Sequence, residues 1–320
     1  MRLYRANVLR AIPFLAFAAV FTFFAASAPS FLAPANLVSM LVNNFALLAM
    51  VALGMTAVLW SGGIDLSVGT SIDVASLVCI ALLANRTNVG LAILGGIGAA
   101  LIVGAVNAFL IARLNITPFL ATLGTLFIGQ SVQQLATNGG QPIYLITGNL
   151  PVVFTTIGQG HILGIPIPLC IVALSATVFS FLLNATGFGR SVLALGAQPL
   201  VAWYSGLNVR RDTAIVYFLS AGICGVAGIT LSATIKAYVP LSGNAYMLDA
   251  IGASFIGTTL SAQGRPSILG TLLGVLFLSV ISNGLLLIGW TFPWQNVGTG
   301  VVIFLVLALS YSSRRLAAGR

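Results

Sequence analysis

The stretch SGGIDLSVG, Ser61–Gly69, interrupts two long apolar runs with glycines and a carboxylate. Asp65 is one of only 4 acidic residues among 320, and the chain is 59% hydrophobic and 5% charged. A soluble domain carries roughly a quarter charged residues, so most of this chain must face lipid or other apolar segments. Long apolar runs without alternation indicate helices rather than the strands of a barrel. The sequence therefore predicts an all-α, polytopic membrane protein.

Ten apolar segments are candidate membrane spans. Two of them, 71–84 and 248–260, are too short to cross about 30 Å of hydrocarbon as straight helices, so we expect short or broken helices there. With the N-terminus in the cytoplasm, 11 of the 13 basic residues fall on the cytoplasmic side, as the positive-inside rule requires. We therefore expect both termini to be cytoplasmic. The ten segments are 11–28, 37–60, 71–84, 90–112, 117–136, 168–184, 214–234, 248–260, 267–288 and 293–311.

Two loops stand out in what we expect to be one transmembrane domain over residues 1–320. The outer loop, about 137–167, is rich in Gly, Pro and Thr and could partly cover the outer mouth. The inner loop, about 185–213, is the longest cytoplasmic stretch. The net charge of +9 does not indicate nucleic acid as a partner, because the basic residues cluster at the ends of the predicted helices.

The inner loop contains signals for one short helix. Pro199 suits the first turn of a helix and Gly206 suits its end, which predicts a helix near Pro199–Ser205. Such a helix would expose Leu200 and Trp203 beside the membrane. An exposed apolar helix can anchor a protein at the bilayer surface or dock a partner, and the residues alone leave both alternatives open.

A faint internal similarity links residues 52–70 with residues 250–271. Each stretch opens on Ala-x-Gly, contains a glycine-bearing break and precedes an apolar helix. The similarity predicts a structural repeat, although small residues at helix contacts could produce the same pattern by chance.

The sequence offers no chemistry for catalysis or for a cofactor. Cys79, Cys170 and Cys224 lie inside apolar runs without metal-ligand spacing, and His161 has no other ligand type beside it in sequence. No nucleotide-binding, metalloprotease or serine-hydrolase motif occurs. We therefore expect a protein that is not an enzyme, has no catalytic residue and binds no metal or cofactor.

Carboxylates near the bilayer are costly and are usually functional, so Asp65 and Asp249 are candidates for a translocation path or a gate. Ser67 belongs with Asp65, because both stand in the break before an apolar run. The alternative is structural: Asp65 or Ser67 can cap the helix that follows, and Asp249 can stabilise a helix N-terminus.

Polar amides inside apolar runs are the second group of candidates. Asn44, Asn107, Gln130 and Asn283 could line a path for a neutral, hydroxyl-rich solute. They could equally join neighbouring helices by hydrogen bonds. Because the predicted spans contain few carboxylates and no glutamate, a proton-driven mechanism is disfavoured.

The segment GMTAVLWSGGIDLSVG (54–69) closely resembles the signature of the ribose-type permeases of bacterial ABC importers. The segments NITPFLATLGTL (115–126), GFGRSVLALGAQPLVAWYSGLNV (187–209) and LDAIGASFIGTTLSAQGRPSILGTLLG (248–274) extend the resemblance over nearly the whole chain. It implies a permease subunit of the bacterial inner membrane that moves a monosaccharide or similar small polar solute into the cytoplasm. The implied partners are a cytoplasmic ATPase, a periplasmic solute-binding protein and a second permease subunit, identical or different.

The same resemblance implies that the inner loop couples to the ATPase. The usual coupling segment reads Gly-Gly-Asn-Glu-x-Ala-Ala-Arg-x-x-Gly-Ile, and here Pro199 and Trp203 stand at its acidic and basic positions. Either the ATPase groove is more apolar, or a second, different permease carries the usual contacts, or this is a degraded copy. The implied coupling residues are Gln198, Pro199, Leu200, Ala202, Trp203, Gly206 and Asn208.

Two other functions stay open at this point. One is a secondary transporter that works without ATP. The other is an ABC permease for branched-chain amino acids, from a related importer branch, which the Gly-Gly-x-Asp-Leu-Ser signature disfavours.

Overall fold

The apolar runs form helices in the computed structural model, which describes residues 2–145, 151–260 and 265–318. Within the described residues, three π-helical segments adjoin α-helices: Leu41–Ala46 joins two of them, and Phe109–Arg113 and Phe181–Ala185 each extend one. The α-helices are α1 (Arg2–Ser27), α2 (Pro34–Met40), α3 (Leu47–Trp60), α4 (Val68–Ala84), α5 (Val89–Ala108), α6 (Pro118–Ala136), α7 (Val152–Gln159), α8 (Ile167–Ser180), α9 (Gly187–Ala197), α10 (Pro199–Tyr204), α11 (Val209–Ile235), α12 (Asn244–Leu260), α13 (Ile268–Leu287) and α14 (Phe292–Ala318).

The predicted all-α membrane class is confirmed. Within the described residues, 5 helices are long and apolar enough to cross a membrane. Each of the ten predicted segments falls on a helix. The number of helices that cross the bilayer and the cytoplasmic location of both termini stay predictions. The five long helices are Pro34–Trp60, Val89–Arg113, Ile167–Ala185, Val209–Ile235 and Ile268–Leu287.

Helix α3 forms the centre of the bundle. Leu59 is the only one of its 14 residues that is not buried. The helices α8, α11, α12 and α13 surround it. The break, which we define as residues 61–67, follows α3 and leads into α4.

Both loops contain helices that their composition did not predict. In the outer loop, β1 (Ile143–Tyr144) pairs antiparallel with β4 (Ala237–Tyr238), and β2 (His161–Ile162) pairs with β3 (Ile165–Pro166). Helix α7 lies between β1 and β2 in the sequence, and its Phe154 side chain is buried. Positions 146–150 of this loop lie outside the described residues.

The inner loop begins with α9, which the loop's composition did not predict. Thr186 caps this helix by accepting a hydrogen bond from the amide of Gly189 at 3.2 Å. The predicted short helix is present as α10.

The two similar stretches touch each other in the core. The Thr56 hydroxyl on α3 lies 2.7 Å from the Thr271 hydroxyl on α13 and 3.3 Å from the Ser254 hydroxyl on α12. Ser254 also donates to the carbonyl of Ala52 at 3.3 Å. Thr56 and Ser254 occupy equivalent positions in the two stretches, so the contact between their hydroxyls joins corresponding residues.

Candidate translocation path and coupling surface

Asp65 lies in the break and is buried. Its Oδ1 accepts hydrogen bonds from the Ser67 amide at 2.8 Å and the Ser67 hydroxyl at 2.6 Å, while its Oδ2 accepts from the Ser220 hydroxyl at 3.1 Å. Removing a carboxylate from water is costly unless hydrogen bonds replace the lost solvent. The two bonds from Ser67 hold the break in its conformation, and the bond from Ser220 joins it to α11.

A chain of hydrogen bonds continues from Ser67 to two further helices. The Asn107 side-chain amide on α5 donates to the Ser67 hydroxyl at 2.6 Å, and the Thr125 hydroxyl on α6 donates to the Asn107 side-chain carbonyl at 2.7 Å. All of these residues are buried. The predicted site residues Asp65, Ser67 and Asn107 therefore meet in one network, which joins the break to three helices.

This geometry bears on the capping alternative for Asp65 and Ser67. Ser67 is the N-cap residue of α4, and its side chain makes no capping hydrogen bond. Asp65 accepts the amide of the cap residue itself, which is an Asx-type turn before the helix rather than an N-cap. The carboxylate organises the break and does not line the cavity described next.

A cavity of about 750 Å³ opens beside the start of α3. Its volume is within the range of small-molecule sites, about 300–1,000 Å³. The wall combines apolar side chains with amides and hydroxyls, and Asp249 is the carboxylate among them. The polar lining residues are Asn43, Asn44, Ser242, Asn244, Tyr246, Asp249, Ser279, Ser282, Gln295, Asn296 and Thr299.

The predicted path residues divide between the cavity and the helix contacts. Asn44 and Asp249 line the cavity. Gln130 reaches it through Asn244, with 3.5 Å between the Gln130 Nε2 and the Asn244 Oδ1. Asn283 exchanges two amide hydrogen bonds of 3.0 Å with Asn36 and so joins α13 to α2.

Sequence reasoning missed most of the cavity wall. Four of its polar residues, Gln295, Asn296, Thr299 and Ser282, lie near the ends of α13 and α14, where each polar side chain resembles a solvated helix end. The signal that could have found them is repetition. Polar residues recur at 295, 296 and 299, the spacing of one helix face, at the start of an otherwise apolar run.

A second carboxylate, Asp73 on α4, fastens the cavity wall. Its Oδ1 accepts hydrogen bonds from the Gly243 amide at 2.7 Å and the Ser242 hydroxyl at 2.9 Å. Gln133 on α6 supports the same wall, since its side-chain carbonyl accepts from the Leu241 amide at 3.0 Å. The sequence signal for this contact was an acidic residue within an apolar helix, because such a residue needs a hydrogen-bonding partner.

The helix α10 presents an apolar coupling surface, which we define as Leu200, Val201, Trp203 and Tyr204. All four side chains are exposed, with Trp203 at 61%, and the Trp203 and Tyr204 rings pack edge to face at 4.9 Å. Ala202 points the other way and is buried. The predicted coupling residues Leu200 and Trp203 are therefore surface residues, whereas Ala202 is a packing residue.

The remaining predicted coupling residues shape the loop. Gln198 ends α9 and precedes α10, and Pro199 is the first residue of α10. Gly206 has a φ of +81°, a conformation that favours glycine after a helix. Asn208 caps α11 by accepting a hydrogen bond from the Arg211 amide at 3.1 Å.

The inner loop is joined to the bundle at two places. The Ser191 hydroxyl on α9 donates to the carboxylate of Asp212 on α11. At the end of α9, Gly196 lies against the break: a Cβ added there would be 2.9 Å from the Gly62 amide nitrogen and 3.0 Å from the Ser61 carbonyl carbon. Only glycine permits this backbone contact.

These features define a polytopic helical permease. A cavity with polar lining residues lies near the start of α3. The inner loop, which has an exposed apolar surface, packs against the end of α3. The family described as the permease component of the branched-chain amino acid transport system matches residues 37–307. The chain belongs to this permease family, whose members are located in the bacterial inner membrane.

Curated relatives match over most of the chain. The ribose import permease protein of Bacillus subtilis (strain 168) is 34% identical over 281 residues, which cover 88% of this chain and 86% of the relative. The galactofuranose transporter permease protein of Escherichia coli (strain K12) is 32% identical over 83% of this chain and 77% of the relative. The galactose/methyl galactoside import permease protein of the same strain is 30% identical over 88% of both chains. No solved structure matches the chain.

Proposed function

We propose that this chain is the membrane-spanning permease subunit of an ATP-driven importer that moves a monosaccharide or a similar small, neutral polar solute into the cytoplasm. The observation that carries the proposal is the cavity, where amides and hydroxyls set among apolar side chains can hydrogen-bond to a polyhydroxylated solute. The names of the curated relatives, which concern ribose, galactose and galactofuranose, support the same solute class.

The charged groups of the wall favour a neutral sugar over a branched-chain amino acid. An amino acid carboxylate is best held by a cation. Among the described residues that line the cavity, the only ionisable group other than Tyr246 is the acidic Asp249, so these residues offer no cation to a carboxylate. A neutral polyol needs no cation and can donate hydrogen bonds to Asp249.

ATP hydrolysis takes place on a separate subunit in this proposal. The cytoplasmic ATPase docks on the coupling surface, a periplasmic solute-binding protein delivers the solute, and a second permease subunit completes the complex. The bundle spans the bilayer ten times as one domain, with both termini in the cytoplasm. The support is the sequence resemblance, the basic-residue distribution and the exposure of Leu200, Trp203 and Tyr204 on one short helix.

The test is reconstitution with the cytoplasmic ATPase and the solute-binding protein that this proposal requires. Proteoliposomes that contain the complex should take up radiolabelled ribose or galactose when ATP is supplied, and should not take up leucine. A complex whose ATPase cannot hydrolyse ATP is the control. Uptake that is independent of ATP would support a secondary transporter, and uptake of leucine instead of sugar would support the amino acid importer.

A further inference from the structure

Two backbone contacts hold the segment Gly62–Asp73, which we name the link segment. At one end, Gly62 lies against Gly196 of the inner loop: a Cβ added at Gly62 would be 3.1 Å from the Gly196 Cα. Gly62 also has a φ of +80°, so this contact requires glycine for its conformation as well as its size. The link segment therefore begins in direct contact with the helix that precedes the coupling surface.

At the other end, the link segment touches the cavity wall. A Cβ added at Gly69 would lie 2.9 Å from the Gly243 carbonyl oxygen, so the start of α4 and the start of α12 are in backbone contact. One helical turn further on, Asp73 holds the Gly243 amide and the Ser242 hydroxyl. Ser242 and the following Asn244 both line the cavity.

Between its two ends, the link segment is held by hydrogen bonds to three helices. Its break portion is bonded to α5 through Asn107, to α6 through Thr122 and to α11 through Ser220. Beyond the break it continues as the first turns of α4. The two contacts also lie near opposite ends of α3. Leu48, near its start, lines the cavity, and Gly62 follows Trp60 at its end. Leu48 and Trp60 are 12 residues apart, which is about 18 Å along the helix.

We infer that the link segment transmits the movement of the ATPase-bound inner loop to the cavity wall, with Gly196 and Asp73 as positioning residues at its two ends. The inference rests on the proposed function. A displacement of α9 pushes Gly196 against Gly62, the hydrogen-bonded break moves with it, and α4 then shifts the wall at 242–244 through Asp73. Continuity in space is not by itself evidence of coupling, so the test measures coupling directly.

The experiment compares ATP hydrolysis with sugar uptake in the reconstituted complex. Gly196→Ala should leave ATPase association and hydrolysis within about twofold of wild type but lower uptake by about fivefold or more, since the transmitting contact is displaced. Asp73→Ala should have the same effect at the other end. Asp73→Asn should restore uptake, because its side-chain carbonyl still accepts from Ser242 and Gly243.

Gly124→Ala is the matched control, because a Cβ at Gly124 meets nothing within 4 Å. Its uptake and hydrolysis should both equal those of wild type. If Gly196→Ala and Asp73→Ala lower hydrolysis and uptake in proportion, or leave uptake unchanged, the inference is overturned. Failure of the wild-type chain to bind the ATPase would instead contradict the proposed function, which separates the two failures.

A second measurement needs no variant, and so covers the case in which Gly196→Ala does not fold. Amide hydrogen exchange is followed in the wild-type complex, free and trapped with ATP and vanadate. Exchange should change in residues 62–73 as well as in α10. A change confined to α10 and α9, with residues 62–73 unaltered, overturns the inference.

Discussion

The Asn107 side-chain amide donates to the Ser67 hydroxyl at 2.6 Å and ties α5 to the break before α4. The hydrogen bonds on either side of this one run in the same direction, from Thr125 to Asn107 and from Ser67 to Asp65. A chain with one direction ends on an acceptor, which here is the Oδ1 of Asp65. Bonds that polarise one another in this way strengthen a buried network.

Asn107→Ala should therefore destabilise the bundle. The change removes two buried hydrogen bonds, each with a net contribution of about 0.5–1.5 kcal/mol, although the Ser67 hydroxyl keeps Asp65 and the Thr125 hydroxyl keeps the Ala121 carbonyl as partners. Thermal unfolding in detergent measures the loss. Asn85→Ala is the control, because Asn85 is exposed and bonds only within its own helix turn; equal stability of the two variants would contradict the network.

Asp65→Asn should have a mild effect on uptake, and Asp65→Leu a severe one. Asparagine keeps a carbonyl that can accept from Ser67, whereas leucine leaves the Ser67 and Ser220 donors unpaired in the core at about 1–3 kcal/mol for each group. The measurement is uptake normalised to folded protein. Loss of transport in both variants would indicate a role for the charge itself, and normal uptake in both would remove Asp65 from the mechanism.

Trp203→Ala should weaken ATPase association and leave the permease folded. Aromatic anchors in interfaces commonly cost about 2 kcal/mol or more when truncated. The test is co-purification of the ATPase at low and high salt. Raised salt should not dissociate the wild-type complex, because screening acts on charges and this surface is apolar.

Trp294→Ala provides the control for Trp203→Ala. Trp294 is exposed to the same extent, 62% against 61%, but lies near the start of α14. Its removal should leave ATPase association unchanged. If Trp203→Ala retains the ATPase fully, α10 is an anchor at the bilayer surface and the docking assignment is wrong.

Ser282→Phe should block uptake without loss of ATPase association. The bulky ring would project from α13 into the cavity, whose wall includes Ser282. Ser131→Phe is the matched control, since Ser131 is exposed on α6. Uptake is measured for both variants in proteoliposomes, and unchanged uptake by Ser282→Phe would exclude this cavity from the path of the solute.

Single cysteines at Leu163 and Ser205 should react with a membrane-impermeant thiol reagent from opposite sides of the membrane. Both positions are exposed, Leu163 at 99%. Cys170, the one native cysteine that is not buried, is first replaced by alanine. Labelling of both positions from the outside in intact cells would contradict the ten-span topology.

The sequence predicted the helices well because their signals are local. Apolar length located every predicted span on a helix, and Pro199 with Gly206 located α10. The helices α7 and α9 escaped prediction since short helices within Gly-rich loops depend on packing against the bundle rather than on propensity. Phe154, buried on α7, is an example of such packing.

The candidate site was predicted only in part, because hydrogen-bond partners are not local. Asp65 was recognised as unusual, but nothing in its neighbourhood pointed to Ser220, 155 residues away. Asn44 and Asn283 are both amides in apolar runs, yet one lines the cavity and the other pairs with Asn36. The side of the helix that each amide faces is set by the assembled bundle and not by its own residue type.

The near-complete burial of α3 has a consequence for which positions of the chain tolerate substitution. The spans Pro34–Trp60 and Val89–Arg113 have similar mean hydropathies, 2.0 and 2.4, but 56% of an 18-residue apolar window is buried in the first and 28% in the second. On the exposed apolar side of the second span, one aliphatic residue can replace another at little cost. In α3 nearly every side chain has neighbours of fixed shape, and changes of volume cost stability. Two helices of similar hydropathy should therefore tolerate substitution to different extents, and α3 should tolerate it less.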